Sequence, residues 1–380
     1  MFLILLEVIV TSCPLLSSSF ARLNPIPLDD AVIRTFMFII LHCKDKSIAN
    51  PGAIIYKPFY PKFRVMERNE LVNFVEGILK RIGFRTMKLE FRGGCFDLVA
   101  TRQLLLLFIK ALANIDKFSE EQAEDLKKLA KLFKASPLLV GLRSKNAELE
   151  DGVVYERFGI YAITPGTLYS MFAEGEPPLI IAERGGFYVR IDGKKLKALR
   201  EEHGYSITEL AGILGISRKS LQRYEKGESV VSLEVALRLE EVFDEPLVKP
   251  IDVLRARLKD VTLTSEPDNI LEKEVFEKLR KLGMSVVKIK TAPFNAITKE
   301  EEDDIELLTG IDERKTGRTL KRAELVSQMA EVVGSDGVFV VKKARMEVVR
   351  NVPILPKKLL EEIKDADELL ELIRDLKFKS

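Results

Sequence analysis

The sequence predicts a multidomain protein in which α/β regions flank a central, all-α helical bundle. Three observations lead to this fold class. The 380 residues exceed the usual size of a single domain. Apolar residues at helical spacing alternate with short apolar runs over residues 66–190 and again after residue 250. Over residues 191–245 the pattern is helical throughout.

Composition limits the class of protein that the chain can belong to and the kinds of site that it can contain. Hydrophobic residues make up 46% of the chain and charged residues 31%, which is typical of a globular protein. The formal net charge is only +2, so contact with nucleic acid requires a local basic cluster. The three cysteines are widely spaced and odd in number, so they do not indicate a disulfide framework; they are Cys13, Cys43 and Cys95. His42 and His203 are the only histidines, and we expect neither a metal site nor a cofactor.

Residues 1–65 are expected to form an extension outside the folded core. The apolar start MFLILLEVIV lacks the positively charged leading segment of an export signal, and Glu7 interrupts it. The apolar run Phe36–Leu41 is too short to cross a bilayer. A start codon assigned upstream of the true one would explain the segment, because a regular charged pattern begins only at Met66.

The first α/β region is predicted over residues 66–190. Apolar spacing predicts a helix over residues 71–82, ended by Gly83, and a capping box of Ser119 and Gln122 starts another that runs to residue 134. A short helix is predicted over residues 165–173. Buried strands are expected at Lys88–Phe91, 97–100, 104–109 and 137–141.

A second α/β region is predicted over residues 250–380, after a linker marked by Pro246 and Pro250. It contains an expected helix over residues 268–285 and strands at Val286–Ile289 and Gly337–Val341. A weak repeat relates the two regions at an offset of 200, since Val75, Leu79, Gly83 and Lys88 recur as Val275, Leu279, Gly283 and Lys288. The repeat indicates either a duplication or a chance match between two common helix–glycine–strand units.

Residues 191–249 form the predicted helical domain. A helix is expected over residues 207–214, where Gly215 ends it because glycine adopts a left-handed turn without steric cost. The next helix begins after Ser217, whose side chain can accept from the first amides, and ends at Gly227. The positions expected to pack these helices together are Ala211, Ile216, Leu221 and Tyr224.

The segment over residues 196–243 resembles the DNA-binding domain of the lambda repressor/Cro family. The resemblance implies that the helix after Ser217 is a recognition helix for the major groove of double-stranded DNA. In that family an arginine of the first helix pairs with a glutamate late in the recognition helix, and Arg200 and Glu225 occupy those places. Ile207 departs from the family, which often has a backbone-contacting glutamine there.

The outward face of the predicted recognition helix is basic. Residues 217–226 contain four Lys or Arg and one Glu, although residues 191–245 contain nine against eleven acidic residues. Arginine suits guanine and glutamine suits adenine. Base reading is therefore predicted for Arg218, Lys219, Gln222 and Arg223, and phosphate contact for Ser217, Lys226 and Thr208.

Residues 70–141 resemble the restriction-endonuclease-like fold, in which an Asp and a Glu-x-Lys triplet on the next strand bind a divalent metal. Asp97 stands at the Asp position and Lys110 at the Lys position. Phe108 replaces the glutamate, so the metal would lose a carboxylate ligand. The resemblance implies an inactive, nucleic-acid-shaped scaffold, with an active nuclease as the alternative.

From Met66 onward the chain is also similar to an archaeal family of helix-turn-helix regulators. We expect a cytoplasmic, sequence-specific transcriptional regulator that binds double-stranded DNA as a homodimer, without membrane association, and we identify no small-molecule effector. Two alternatives stay open. The helix-turn-helix could target a nuclease, or the helical domain could bind another protein in the manner of an antitoxin or coactivator.

Removing residues 1–65 should leave folding and DNA binding intact, because helical periodicity begins only at Met66. Thermal melting of the full chain and of a chain starting at Met66 should give the same midpoint. A midpoint many degrees lower in the shorter chain would show that the segment belongs to the core.

Overall fold

The computed structural model describes residues 66–145, 147–255, 261–263, 266–300 and 306–378. The predicted extension over residues 1–65 lies outside them. Across the described ranges, no helix has both the length and the apolar character that a membrane crossing requires.

The first α/β region begins with a helix against a mixed sheet. Its strands follow the order β1-β2-β3-β4-β6-β5, in which β3, β4 and β6 are parallel and the other neighbours antiparallel. The elements are α1 (Arg68–Arg81), β1 (Arg85–Lys88), β2 (Leu98–Arg102), β3 (Leu105–Asn114), α2 (Glu120–Leu132), β4 (Ser136–Arg143), β5 (Val153–Arg157), β6 (Ile160–Ile163) and α3 (Pro165–Tyr169).

Two predicted elements of this region are wrong in position. The strand expected at Lys88–Phe91 is β1, which ends at Lys88 where its pairing with Leu98 ends. The chain then turns through Gly93, which has a φ of +75°. The short helix expected to reach residue 173 ends at Tyr169, and a single π-helical turn, Ser170–Glu174, follows it. Backbone pairing and turn geometry set both boundaries.

The same sheet continues into the base of the helical bundle. Strand β7 (Ile180–Glu183) pairs parallel with β5, and β8 (Gly186–Ile191) follows it. The bundle contains α4 (Gly193–Glu202), α5 (Ile207–Leu214), α6 (Arg218–Glu225), the short strand β9 (Val231–Ser232) and α7 (Leu233–Phe243). Strand β10 (Val248–Lys249) then returns to pair antiparallel with β8.

The linker expected between Pro246 and Pro250 is therefore wrong, because these prolines flank a strand that joins the sheet. Glu240 of α7 strengthens the junction. Its buried carboxylate accepts hydrogen bonds from the backbone amides of Leu247 at 2.7 Å and Val248 at 3.0 Å. The bundle is consequently tied to the sheet at both its entry and its exit.

The C-terminal region repeats the first one. Its strands follow the order β11-β12-β13-β14-β16-β15, with parallel and antiparallel pairs at the same places as in the first region. The duplication suggested by the sequence offset is thus present in the fold. The elements are α8 (Ile270–Lys281), β11 (Met284–Lys288), β12 (Ala296–Glu300), β13 (Glu306–Arg314), α9 (Gly317–Val333), β14 (Asp336–Lys343), β15 (Glu347–Val349), β16 (Val352–Pro356), α10 (Lys357–Glu362) and α11 (Ala366–Phe378).

The two repeats share one hydrophobic core. Fully buried side chains from both, such as Phe108 and Phe339, belong to the same cluster. Buried Asp125 of α2 crosses to the second repeat and accepts from the backbone amides of Lys290 and Thr291, each at 2.8 Å. The amide of Cys95 donates to the carbonyl of Thr291 at 2.8 Å. Apolar burial and cross-repeat hydrogen bonds therefore join the repeats.

Candidate nucleic-acid interface

Local sequence signals set the start of each helix in the bundle. The side chains of Asp192, Ser206, Ser217 and Ser232 each accept from a backbone amide in the first turn of α4, α5, α6 and α7, respectively. Such caps satisfy amides that the helix leaves without a partner. The starts of α5 and α6, the two helices of the motif, are therefore determined by capping contacts within their first helical turns.

The turn between α5 and α6 has the geometry that the motif needs. Gly215 adopts a φ of +67°, and the amide of Ile216 donates back to the carbonyl of Ala211 at 3.0 Å. Ala211 and Leu221 are buried between the helices, whereas Ile216 and Tyr224 are half-buried. The small side chain of Ala211 allows the two helices to approach closely.

Gly193 is a position of the bundle that sequence reasoning missed. A Cβ atom at Gly193 would lie 2.3 Å from the carbonyl oxygen of Tyr224 and 2.5 Å from that of Glu225. Only glycine lets the first turn of α4 pack against the end of α6. A glycine directly after a capping aspartate was the signal in the sequence, but the contact that explains it is a tertiary one.

Arg200 connects three parts of the bundle. Its Nε donates to Glu225 Oε1 at 2.5 Å, and its Nη1 donates to the carbonyl of Tyr205 at 3.0 Å. The Arg200 and Glu225 side chains are only 9% and 8% exposed. Hydrogen bonding to Glu225 raises the pKa of Arg200 above its ordinary value. The pair that the resemblance implied is therefore formed, and it holds α4 against α6.

The outward face of α6 is exposed and unpaired. The structure gives its charged side chains no hydrogen bond or ion pair with any described residue. The face consists of the five predicted contact residues Arg218, Lys219, Gln222, Arg223 and Lys226. Ser217 is exposed as well, but its Oγ already accepts from the amide of Ser220 at 3.0 Å. Thr208 is exposed in the first turn of α5.

Basic side chains surround Asp97, which stands at the position of the nuclease aspartate. Asp97 is 1% exposed and forms ion pairs with Arg68 and with Lys110, the latter at 3.2 Å. Lys110 also donates to the carbonyl of Gly94 at 2.5 Å, and burial lowers its pKa. Phe108, at the position of the missing carboxylate, is completely buried in the core between the repeats.

The second repeat contains the equivalent position in a different chemical form. The amides of Ala111 and Ile311 donate to the side-chain oxygens of Asp97 and Asn295, respectively, both at 2.9 Å. Asn295 is therefore the counterpart of Asp97, and Gly310 that of Lys110. A Cβ at Gly310 would lie 2.3 Å from the Phe339 ring, so no lysine fits there.

Metal ligands do not cluster in the part of the chain that the structure describes: it brings no three His, Cys, Asp or Glu side chains into a metal-binding arrangement. The imidazole of His203 instead lies 2.9 Å from the carbonyl of Leu199 and packs against Phe243. Cys95 is buried, which raises its pKa to about 12. This thiol is therefore not suited to act as a nucleophile or thiolate ligand.

Comparison with protein families matches two parts of the chain. Residues 68–178 match the PD-(D/E)XK superfamily domain, and residues 196–249 match a helix-turn-helix domain. These ranges cover the first α/β repeat and nearly all of the bundle. No solved structure matches the chain.

Curated relatives match over 312 residues, which is 82% of this chain. A protein of Pyrococcus abyssi is 77% identical over 99% of its own length, and one of Pyrococcus furiosus is 65% identical, also over 99%. A protein of Methanothermobacter thermautotrophicus is 36% identical over 98% of its length. Each is named "Putative HTH-type transcriptional regulatory protein".

The chain belongs to this archaeal family of helix-turn-helix proteins. Besides its helix-turn-helix, the chain contains the PD-(D/E)XK superfamily domain that the resemblance at Asp97 and Lys110 implied. Arg68, which neutralises Asp97, was missed because its distance of 29 residues in sequence gives no periodic signal. Asn295 was missed because the repeat was followed only as far as Lys288.

Replacing Arg200 alone should destabilise the bundle strongly. Arg200→Met leaves the Glu225 carboxylate buried without its partner, which typically costs about 3–5 kcal/mol in the free energy of unfolding. Arg200→Met combined with Glu225→Leu should recover much of that loss. Urea unfolding followed by circular dichroism measures both, and Glu202→Ala, on the exposed side of α4, is the matched control. Equal stability of Arg200→Met and the control would contradict the assigned role of the pair.

Proposed function

We propose that the protein is a sequence-specific transcriptional regulator that binds double-stranded DNA through α6. The observation that carries this proposal is the exposed, unpaired basic face of α6 on a helix whose orientation is held by Arg200 and Glu225. An unpaired cation breaks no ion pair when it meets a phosphate or a base edge, and a rigid helix limits the ordering cost to the side chain. The names of the relatives support the same function.

The side chains of this face are proposed to divide into two roles. Arg218 and Lys219 lie in the first turn of α6, and Gln222 and Arg223 follow one turn later, so they are the candidates for base edges in the major groove. Lys226 caps the end of α6 and is a candidate for phosphate contact. Ser217 and Thr208 at the starts of α6 and α5 are further phosphate candidates.

We also propose that the regulator acts as a homodimer in the cytoplasm. One recognition helix reads only a few base pairs, and two copies on two half-sites supply the specificity that a single copy lacks. The cytoplasmic location follows from the proposed ligand, which is the chromosome of the cell.

The PD-(D/E)XK domain is proposed to be a scaffold without nuclease activity. Metal-assisted cleavage needs carboxylates that are free to hold a divalent ion. Here Asp97 is engaged by Arg68 and Lys110, and Phe108 places an aromatic ring where a carboxylate is needed. The counterpart in the second repeat has Asn295 and Gly310, which offer no carboxylate.

Replacing a base-reading residue should change both affinity and sequence preference. An operator is first selected from random double-stranded DNA, and binding is then measured to the matched and to a mismatched site over a salt series. Arg218→Ala or Arg223→Ala should cost about 1–3 kcal/mol on the matched site and relax the preference at one base position. Lys226→Ala should weaken both sites alike and lower the salt slope by about one.

Leu221→Asp is the contrasting variant, because it places a charge in the bundle core and should unfold it. Unchanged affinity and preference in folded Arg218→Ala, Lys219→Ala and Arg223→Ala would exclude α6 as the reader. The alternative in which the helical domain binds another protein would then become the leading hypothesis.

Supercoiled plasmid incubated with the protein and Mg²⁺ or Mn²⁺ should stay intact, because Phe108 replaces one carboxylate ligand and Asp97 is engaged by Arg68 and Lys110. Agarose gels that resolve nicked and linear forms measure the outcome. Nicking by the natural protein that disappears in Asp97→Ala would establish the helix-turn-helix-targeted nuclease instead.

A further inference from the structure

A large cleft lies between the two α/β repeats, with the degenerate nuclease position of the first repeat in its wall. Its volume is about 1020 Å³, which is the size of a site for a small organic ligand. The first repeat contributes residues of α1 and of the segment that follows β1. The second repeat contributes the start of α9. The residues used below are Arg68, Lys88, Leu89, Glu90, Phe91, Arg92, Asp97, Arg318, Lys321, Arg322 and Leu325.

The cleft concentrates positive charge in a chain that is almost neutral overall. Six basic side chains and two carboxylates line it, although the whole chain has a formal net charge of only +2. Asp97 is already neutralised by Arg68 and Lys110, and Glu90 lies 3.6 Å from Lys88. The positive charge of the cleft is therefore not balanced by its own carboxylates.

Three of the cations have no partner among the described residues. Arg92, Arg318 and Lys321 are exposed, and the structure gives them no ion pair or hydrogen bond with any described residue. Arg322 is held in place by Asp312 at 2.9 Å, by Asn295 and by a backbone carbonyl. Gly317, the first residue of α9, also lines the cleft, so the positive end of this helix is directed toward it.

Apolar side chains complete the lining. Leu89 and Leu325 are buried and Phe91 is half-buried at the cleft. Cations near a half-buried aromatic ring suit a ligand with both phosphate groups and a planar ring. A divalent ion is not required for such a ligand, because the guanidinium and ammonium groups of the cleft supply the opposing charge.

We propose that this inter-repeat cleft binds a phosphate-bearing ligand of nucleotide size, with Arg318 and Lys321 as its principal phosphate contacts. The site combines the Asp97 position of one repeat with the helix start of the other, so both repeats are needed to form it. The proposal does not depend on DNA binding by α6, since the bundle contributes no residue to the cleft.

The equivalent position of the second repeat has different charges. Arg68 corresponds to Asp268 at the 200-residue offset, and Val72 corresponds to Glu272. These acids hold buried Lys288, at 2.6 Å each. Asn295 also donates to Glu272 at 2.8 Å. The second repeat therefore balances its cation internally, while the first repeat leaves its cleft positive.

ATP in buffer containing EDTA is the probe, and calorimetric titration of the full chain is the measurement. The natural protein should bind ATP at a single site, inorganic pyrophosphate should compete, and adenosine should not bind. Arg318→Ala with Lys321→Ala should weaken ATP binding by about tenfold or more, since two charge-assisted contacts are lost. Lys281→Ala with Lys358→Ala removes two exposed cations of the same repeat outside the cleft and should change affinity less than about twofold.

Absence of binding of both ATP and pyrophosphate at concentrations up to about 1 mM would overturn the proposal. So would equal weakening by the two pairs of substitutions in folded proteins. A single-stranded oligonucleotide distinguishes the source of the phosphate, and Arg218→Ala with Arg223→Ala removes contributions from α6 to its binding. If the oligonucleotide binds the protein more tightly than ATP does and competes with ATP, the site binds the phosphates of a single strand. If ATP binds more tightly than the oligonucleotide, the site binds a free nucleotide. Both results support a phosphate-binding site in the cleft.

Discussion

Burial of each α/β repeat against the other is the constraint on which the rest of the structure depends. Phe108 of the first repeat and Phe339 of the second lie in one cluster and are completely buried. Cutting this core in half would expose large aromatic side chains, and burying such a side chain stabilises a protein by roughly 1.5–3 kcal/mol. The shared core therefore favours keeping both repeats in one chain.

The shared core also contains Phe108, which stands where the resemblance places the nuclease glutamate. At position 108, where the resemblance places a carboxylate, Phe108 instead packs against Phe96 of the same repeat, with ring centroids 5.2 Å apart. A charged group there would be buried without a partner, at a cost of several kcal/mol. The apolar packing around Phe108 therefore disfavours a carboxylate at this position. Asp97 is buried in ion pairs with Arg68 and Lys110.

The helical bundle is joined to the sheet by main-chain pairing. Strands β8 and β10 bring the entry and exit of the bundle together, and the carboxylate of Glu240 binds the two amides next to β10. A helix-turn-helix on a flexible linker would be free to reorient, whereas this one is anchored at both ends. The orientation of α6 is thereby related to the sheet of the first repeat.

The sequence by itself determined the elements whose signals are local. Capping residues such as Ser206 and Ser217, the stop at Gly215 and the apolar spacing of the helices depend on neighbours within a few residues, so the bundle could be predicted in detail. The Arg200–Glu225 pair followed from family resemblance. Only the tertiary structure decided what depends on distant partners: the end of β1 at Lys88, the strand between Pro246 and Pro250, and the neutralisation of Asp97 by Arg68. The shared core and the cleft belong to the same class, because each is formed by segments about 200 residues apart, and hydrophobic burial leaves no periodic mark that identifies its partner.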